Sequence, residues 1–281
     1  VDVETGKLKQ LTKNPASDYE PKWHPDGGKI VFTSERHGNQ DVFTIDIETL
    51  EQTRITSTRN SEDYPSFSKD GSEIVFTGGP WGRREVHVKN LESGKIRQVT
   101  DGHRLVGSAS FSPDGKQIVY HVYYKSYSSG SSDVLVVPSE GGKGKLITDD
   151  KDIWDYKANW SYDGLWLAFS SKRTTSNFNI WIMGPGGKEL TPVTNLEGLD
   201  LRWPNWTKDG RLSWHRIDPQ AGRIMAADVK TGEVKRLVQS NSFIEGLVPS
   251  PDGNKIAYSS GWRVCVIDAK ADASPTRLAV G

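Results

Sequence analysis

Short apolar runs, each bounded by turn-forming residues, follow one another along the chain. Examples are Ile-Val-Phe at residues 30–32 and 74–76 and Ile-Val-Tyr at residues 118–120. β-branched and aromatic runs of this kind are typical of buried strands. A polar loop, a second β run such as residues 41–46 and a short strand such as residues 53–56 follow. Because no segment shows a convincing helical period with caps, the pattern predicts an all-β protein.

A turn motif precedes these runs and recurs six times. It consists of an aromatic residue (proline in the last copy), two further residues and then Asp-Gly; Pro, Asp and Gly favour tight turns. The spacings between successive aspartates are 44, 44, 49, 46 and 43 residues, near the period of a four-stranded propeller blade. Packing such sheets in a ring covers their apolar faces. We therefore predict a six-bladed β-propeller with four antiparallel strands, A to D, per blade. The motif aspartates are Asp26, Asp70, Asp114, Asp163, Asp209 and Asp252.

The two ends of the chain compete for one place in this ring. Residues 1–12 parallel residues 45–56, so they contain the end of a C strand and a D strand. The last unit has its own candidates for strand C, residues 262–268, and strand D, residues 276–279. Either the N-terminal strand joins the last blade, or upstream sequence with a further blade was cut away. We predict six blades, with seven-bladed parentage as the alternative. Residues 1–281 then form a single domain, in which residues 1–12 give a strand of a closing or truncated blade.

The repeat resembles the WD-like repeat of TolB-type propellers over essentially the whole chain. The resemblance implies a propeller fold and a periplasmic or secreted setting. The resemblance does not specify a function, because the same repeat occurs in peptidase propeller domains and in some polysaccharide lyases. In the first unit the pattern is carried by Asp18, Pro21, Trp23, Pro25, Asp26, Gly27 and Phe32.

Composition excludes several classes of function. The chain has 36 basic and 36 acidic residues, and this balance argues against generic nucleic-acid binding. A single cysteine, Cys265, excludes an intrachain disulfide framework and a multi-cysteine zinc site. No apolar run approaches the length of a membrane span. Neither metal-ligand spacing nor a phosphate-binding glycine loop is visible, so we expect no metal, no cofactor and a monomer.

Candidate binding residues lie in the D–A and B–C connections, on the face opposite the Asp-Gly turns. Tyr19 and Tyr156 each lie four residues before the motif tryptophan of their unit. Tyr64 and Trp203 lie three residues before the motif aromatic residues of their units, Phe67 and Trp206. Because A strands line the axis, similar offsets predict an annulus of rings at the channel mouth, although the same rings could instead pack between blades. The predicted binding residues are Tyr19, Asp63, Tyr64, His121, Tyr124, Asp155, Tyr156, Arg202, Trp203 and His215.

The two histidines in this set leave two functions open. His121 and His215 follow the B-strand aromatic residue, where the other units have Thr or Ser. With a neighbouring Tyr and Arg, such a histidine could act as a base in a polysaccharide lyase, or it could simply be hydrogen-bonded at a strand end. We predict a non-catalytic binding propeller that holds a protein segment or oligosaccharide at the channel mouth and on the loop face, which is the face that carries the D–A and B–C connections. The alternative is a polysaccharide-active enzyme, most plausibly a lyase; no catalytic residue is assigned.

Overall fold

The structure, a computed structural model, consists of β-strands joined by turns and loops. Within the part of the chain that it describes, no helix has the length and apolar character needed to cross a membrane. It describes residues 9–102, 105–124, 130–150, 152–218, 221–228, 233–240, 244–268 and 276–277.

The strands form a ring of antiparallel sheets, and each sheet packs against the next. Blade I contains β2 (Asp18–Trp23), β3 (Lys29–Ser34), β4 (Asp41–Asp46) and β5 (Gln52–Arg54). Blade II contains β6 (Ser61–Phe67), β7 (Glu73–Gly79), β8 (Glu85–Asn90) and β9 (Ile96–Gln98). Blade III contains β10 (Val106–Phe111), β11 (Gln117–Tyr123), β12 (Ser132–Pro138) and β13 (Lys145–Leu146). Blade IV contains β14 (Asp155–Trp160), β15 (Leu167–Ser171), β16 (Asn179–Met183) and β17 (Thr191–Pro192).

Two further sheets complete the ring. A five-stranded sheet contains β18 (Asp200–Trp206), β19 (Arg211–Asp218), β20 (Ala221–Asp228), β21 (Glu233–Ser240) and β25 (Thr276–Arg277). The closing blade contains β22 (Ile244–Pro249), β23 (Lys255–Ser260), β24 (Arg263–Asp268) and, from the other end of the chain, β1 (Lys9–Gln10). This blade packs against blade I and closes the ring.

The prediction of six four-stranded blades is wrong, and so is its seven-bladed alternative. The structure has five four-stranded blades, and the remaining sheet has five strands. The difference arises at the outer edge of β24, which has room for one partner. The N-terminal β1 takes that edge, pairing Lys9 with Val266. The expected last D strand, β25, instead extends the neighbouring sheet and pairs Arg277 with Glu233.

Every innermost strand has the same irregularity. The register between strands A and B shifts at one point in each sheet, which marks a β-bulge. A residue with positive φ lies at each shift, three residues before the motif residue that ends strand A. Such bulges bend a strand and re-aim a side chain, so this position can direct side chains toward the axis. The residues are Glu20, Tyr64, Ser108, Lys157, Trp203 and Gly246.

The core lies between neighbouring sheets. Trp23 is buried among residues of blade I and of the closing blade, and its indole N–H donates to the carbonyl of Val248 at 3.0 Å. Trp206 is buried between blade IV and the five-stranded sheet, and Trp160 packs against the cluster shared by blades III and IV. The motif tryptophans therefore pack between neighbouring sheets.

The Asp-Gly turns lie at one end of the strands and are held by local hydrogen bonds. In the third unit, Asp114 Oδ1 accepts from Ser112 Oγ at 2.6 Å and from the amide of Lys116 at 3.1 Å. The Ser112 bond, with help from that amide, holds the pKa of Asp114 below its usual value. Asp163 and Asp252 accept the equivalent bonds. These aspartates shape turns, as expected.

Candidate functional site

The predicted annulus of exposed rings is only partly formed. Tyr156 and Trp203 are buried, with 7 % and 8 % of their surface exposed, whereas Tyr19 and Tyr64 are half-buried. The ring of Tyr156 packs on Phe178, with centroids 4.7 Å apart, and Trp203 stacks on His215 at 5.2 Å. Burial raises the pKa of Tyr156. Two of the four rings are therefore core residues that pack against side chains of their own units and are not exposed at the channel mouth.

His121 and His215 are both fully buried. Burial lowers the pKa of His121 well below its usual value and that of His215 to about 4, so both are neutral at neutral pH. They lie on β11 and β19, in sheets separated by blade IV. His121 Nδ1 accepts the amide of Lys157 at 3.4 Å. The structure thus keeps the two histidines on separate sheets and inside the core.

Room for His121 comes from a glycine in the neighbouring strand. Gly107 pairs with His121 in the A–B register of blade III. A Cβ at residue 107 would lie 2.6 Å from His121 Nε2 and 3.1 Å from the ring of Tyr123. The absence of a Cβ at residue 107 therefore makes room for the His121 ring, whereas His215, in the equivalent position of the fifth unit, lies opposite Arg202.

The predicted charged residues are paired within the protein. Asp63 forms an ion pair with Arg84 and accepts the hydroxyl of Thr77. Asp155 pairs with Arg173 at 2.6 Å. Burial raises the pKa of both carboxyl groups to about 6, against the opposing effect of their arginine partners. Arg202 pairs with Asp200 at 2.7 Å.

One of these pairs belongs to an arrangement that occurs twice. In blade IV, Arg173 pairs with Asp155 and lies 5.2 Å from the ring of Trp181. In blade I, Arg36 pairs with Asp18 at 3.1 Å and lies 4.4 Å from the ring of Phe43. Both arginines also donate to a serine that ends strand B. The arrangement ties a B–C loop to the start of strand A, so Asp155 positions a loop.

Side chains from opposite sheets meet at the axis. Lys157 Nζ of blade IV donates to Glu20 Oε1 of blade I at 2.7 Å and lies 3.8 Å from the ring centroid of Tyr64 in blade II. All three residues occupy the bulge position with positive φ. One layer away, Lys22 Nζ donates to Asn205 Oδ1 at 2.8 Å, and burial lowers the pKa of Lys22 to about 8. These contacts cross the channel.

Sequence reasoning left Glu20, Lys22 and Lys157 out of the predicted site. The signal that could have found Glu20 and Lys157 is their offset of three residues from the motif aromatic residue, which they share with Tyr64 and Trp203. The offset fixes a position on the bulge. The partner across the ring depends on which sheets are opposite, and the sequence of one repeat carries no such information.

The most exposed aromatic residues lie in the B–C connections. Trp81 is 80 % exposed, Trp262 is 53 % exposed and Tyr124 is 48 % exposed. Because B–C connections share one end of the sheets, these rings lie on the predicted face. Only Tyr124 was in the predicted set. Trp262 was assigned to a C strand but lies in a two-residue hairpin turn with Gly261, where both residues have positive φ.

Trp262 joins a predicted residue. Its ring packs edge-on against Tyr19, with centroids 6.3 Å apart. The Tyr19 hydroxyl donates to Glu35 Oε1 at 3.1 Å and accepts from Gln40 Nε2 at 2.7 Å. Half-buried Tyr19 therefore links the exposed ring of Trp262 to polar groups of blade I.

The described residues hold no group of three or more His, Cys, Asp or Glu side chains placed to bind a metal ion. Cys265 is buried in β24, and burial raises the pKa of its thiol to about 11. A protonated, buried thiol of this kind is a core residue and a poor nucleophile.

Comparison with known proteins supports the fold assignment. Residues 1–122 match the model of the TolB beta propeller domain. The Tol-Pal system protein TolB of Nitratidesulfovibrio vulgaris is 31% identical over 94 residues, which are 33% of this chain and 21% of that protein. The chain thus matches about a fifth of this relative's length.

Two solved structures are similar along nearly the whole chain. TolB from Acinetobacter baumannii superposes with a TM-score of 0.68 and 20% identity, covering 94% of this chain and 57% of that one. An oligogalacturonate lyase in complex with manganese superposes with a TM-score of 0.66 and 14% identity, covering 96% of both chains. At these identities the similarity concerns the fold. The repeat, the ring of sheets and the match of residues 1–122 to the domain model together support a TolB-like propeller fold.

Proposed function

We propose that the protein is a non-catalytic binding propeller that holds a protein segment or a glycan on the loop face. The observation that carries this proposal is the exposure of Trp81, Tyr124 and Trp262 on that face. Large exposed rings favour association, and they are the side chains that most often anchor a partner. Aromatic faces also stack on sugars, so both classes of ligand fit.

The closed axis favours docking on the surface over entry into the channel. The Lys157–Glu20 contact spans opposite sheets, and Tyr64 covers the lysine. A ligand would therefore rest on these groups. In this proposal Tyr19, Tyr64, Tyr124 and Arg202 contact the ligand. The buried members of the predicted set, Asp63, His121, Asp155, Tyr156, Trp203 and His215, position them.

The nature of the partner and the setting are parts of the same proposal. The curated relative is named for the Tol-Pal system, which favours a protein segment over an oligosaccharide. The resemblance to TolB-type propellers favours a periplasmic or secreted monomer that needs no cofactor. We propose that the whole chain, residues 1–281, acts as one propeller domain.

A polysaccharide lyase is the second candidate. The observation in its favour is the similarity to an oligogalacturonate lyase over 96% of both chains. The burial and separation of His121 and His215 weigh against it, because a general base must reach its substrate. The ion pairs of Asp155 and Arg202 weigh against it too.

One binding screen tests the proposal. A glycan array and a displayed peptide library are probed with the wild-type protein, with the double variant Trp81→Ala/Trp262→Ala, and with Ile96→Ala as an exposed control on β9. We expect saturable binding to one ligand class, at least tenfold weaker for the double variant and unchanged for Ile96→Ala. Equally strong binding by the wild-type protein and by the double variant would refute the proposal. Release of unsaturated product from polygalacturonate, abolished by His121→Ala, would establish the lyase instead.

A further inference from the structure

A cleft on the opposite face, between the Asp-Gly turns of the third and fourth units, takes no part in the proposed function. Its volume is about 450 Å³. The turns meet closely there, since a Cβ at residue 164 would lie 3.7 Å from Cδ of Pro113. The apolar part of its lining consists of Pro113, Trp160, Tyr162 and Pro185, and the charged part of Lys69, Asp114 and Asp163.

The fourth unit breaks the repeat at this cleft. Tyr162 occupies the position before the motif aspartate, where the other units have Pro or Lys. Leu165 follows the motif glycine, where four other units have Gly, Ser, Lys or Asn. These side chains are 44 % and 63 % exposed.

The turn itself does not require these apolar side chains. Asp163 accepts from Ser161 Oγ at 2.6 Å and from the backbone amide of Leu165 at 3.0 Å, as the equivalent aspartates do elsewhere. Any residue except proline could supply that amide at position 165. The apolar surface of Tyr162 and Leu165 is therefore additional to the turn, and such surface is typical of contact sites.

The lining indicates the class of ligand. Grooves lined by aromatic rings bind polyproline II segments, and Trp160 and Tyr162 line this cleft. Two carboxylates, Asp114 and Asp163, face one lysine, Lys69, so the cleft carries surplus negative charge. The Ser112 hydroxyl and the Lys116 amide hold the pKa of Asp114 low, which keeps it ionised. Charge complementarity then favours a basic ligand.

A second cleft on the same face provides a comparison. It lies between the turns of the last and first units and has a volume of about 300 Å³. Its lining contains two prolines and Trp23, but Asp26 and Asp252 are balanced by Lys208 and Lys255. It has no counterpart of Tyr162. Of these two clefts, only the one between the third and fourth units combines an exposed aromatic ring with a surplus of negative charge.

We propose that this cleft binds an extended, proline-rich protein segment that carries an arginine or lysine. The prolines of the segment pack between Tyr162, Trp160 and Pro113, and its cationic side chain pairs with Asp114. This site lies on the face opposite the exposed rings of Trp81, Tyr124 and Trp262. It can therefore be tested independently of the function proposed above.

Calorimetric titration with a short proline-rich peptide that contains one arginine tests this site. Tyr162→Lys introduces the residue that the second and fifth units carry at this position, so the turn is preserved. We expect it to weaken binding at least tenfold. Lys208→Ala, at the equivalent position of the fifth unit, should leave the affinity unchanged, as should Trp81→Ala on the loop face.

Charge recognition is tested with Asp114→Asn, whose amide oxygen can accept the same turn bonds. This variant should weaken binding of the arginine peptide several-fold and leave a peptide with glutamine in place of arginine unaffected. The proposal is overturned if the peptide shows no saturable binding, if Tyr162→Lys and Lys208→Ala behave alike, or if an oligosaccharide and not the peptide shows the Tyr162 dependence.

Discussion

Two sets of aromatic residues near the loop face behave differently. Tyr156 and Trp203, in innermost strands, are buried against Phe178 and His215. Trp81 and Trp262, in B–C connections, are more than half exposed. The first set occurs at a repeated offset, and the second appears where single units depart from their neighbours. In the first set the repeated ring serves packing, and the most exposed rings are those that the repeat does not require, while Tyr19 and Tyr64, at the same repeated offsets, are half-buried.

The largest effect that separates the two sets concerns stability. Trp203→Ala removes a buried ring stacked on His215 and should lower the free energy of unfolding by about 3–5 kcal/mol. Trp262→Ala removes an exposed ring and should change it by less than about 0.5 kcal/mol. Chemical denaturation of both variants measures the difference. Equal losses would mean that the two sets do not differ in burial.

The axial ion pair gives the next largest effect. Lys157→Met leaves the Glu20 carboxylate, which is 12 % exposed, without its partner and should destabilise the protein by about 3 kcal/mol. The charge swap Glu20→Lys/Lys157→Glu restores opposite charges at the same bulge positions. We expect denaturation to show that the swap recovers most of the loss. If the swap is as unstable as the single variant, the two side chains do not meet at the axis.

The glycine that makes room for His121 gives a smaller effect. Gly107→Ala should cost about 1–3 kcal/mol, because its Cβ would lie 2.6 Å from His121 Nε2. In the background of His121→Ser, which introduces the serine that the fourth and sixth units carry, the same substitution should cost far less. Thermal unfolding of the two single variants and of the double variant provides this cycle. A cost that is independent of residue 121 would contradict the packing described.

His215, the buried histidine on which Trp203 stacks, should also make the stability of the protein depend on pH. The pKa of His215 is about 4 in the folded protein, below its usual value of 6.5. The unfolded chain therefore binds the proton more readily, and stability falls as the pH is lowered from 6.5 to 4. One such group contributes a slope of up to about 1.4 kcal/mol per pH unit.

His215→Phe keeps a ring on Trp203 and removes this proton, so its stability should fall less steeply in that range. Asp63 and Asp155 act in the opposite direction. Burial raises their pKa values to about 6, so protonation between pH 6 and 3.8 stabilises the folded state. Because both proteins keep these aspartates, the difference between their pH profiles reports on His215. Identical pH profiles of the two proteins would mean that His215 is exposed to solvent and keeps its usual pKa.

The repeat made much of the fold predictable. Strand order, the Asp-Gly turns and the wedging of Trp23, Trp160 and Trp206 all follow from local patterns that recur. Closure did not follow, because residues 1–12 and 276–279 read equally well as the last strand and only packing decides between them. The resulting difference is five four-stranded blades beside one sheet of five strands.

The site was harder to predict than the fold. A fixed offset from the motif residue gives the height of a side chain along the axis, but it does not say whether the ring faces solvent or a neighbouring sheet. Tyr156 and Trp203 were predicted to be exposed at the channel mouth, but both are buried. The partners Glu20 and Lys157 are 137 residues apart, and no local pattern links them.

Hydrogen exchange with the ligand selected by the binding screen tests the central claim, that ligands dock on the B–C loops of the loop face. We expect bound ligand to slow exchange at residues 80–84 and 261–263 and to leave the Asp-Gly turns at residues 112–117 and 161–166 unchanged. Protection confined to those turns, with none in the B–C connections, would contradict the claim and move recognition to the opposite face.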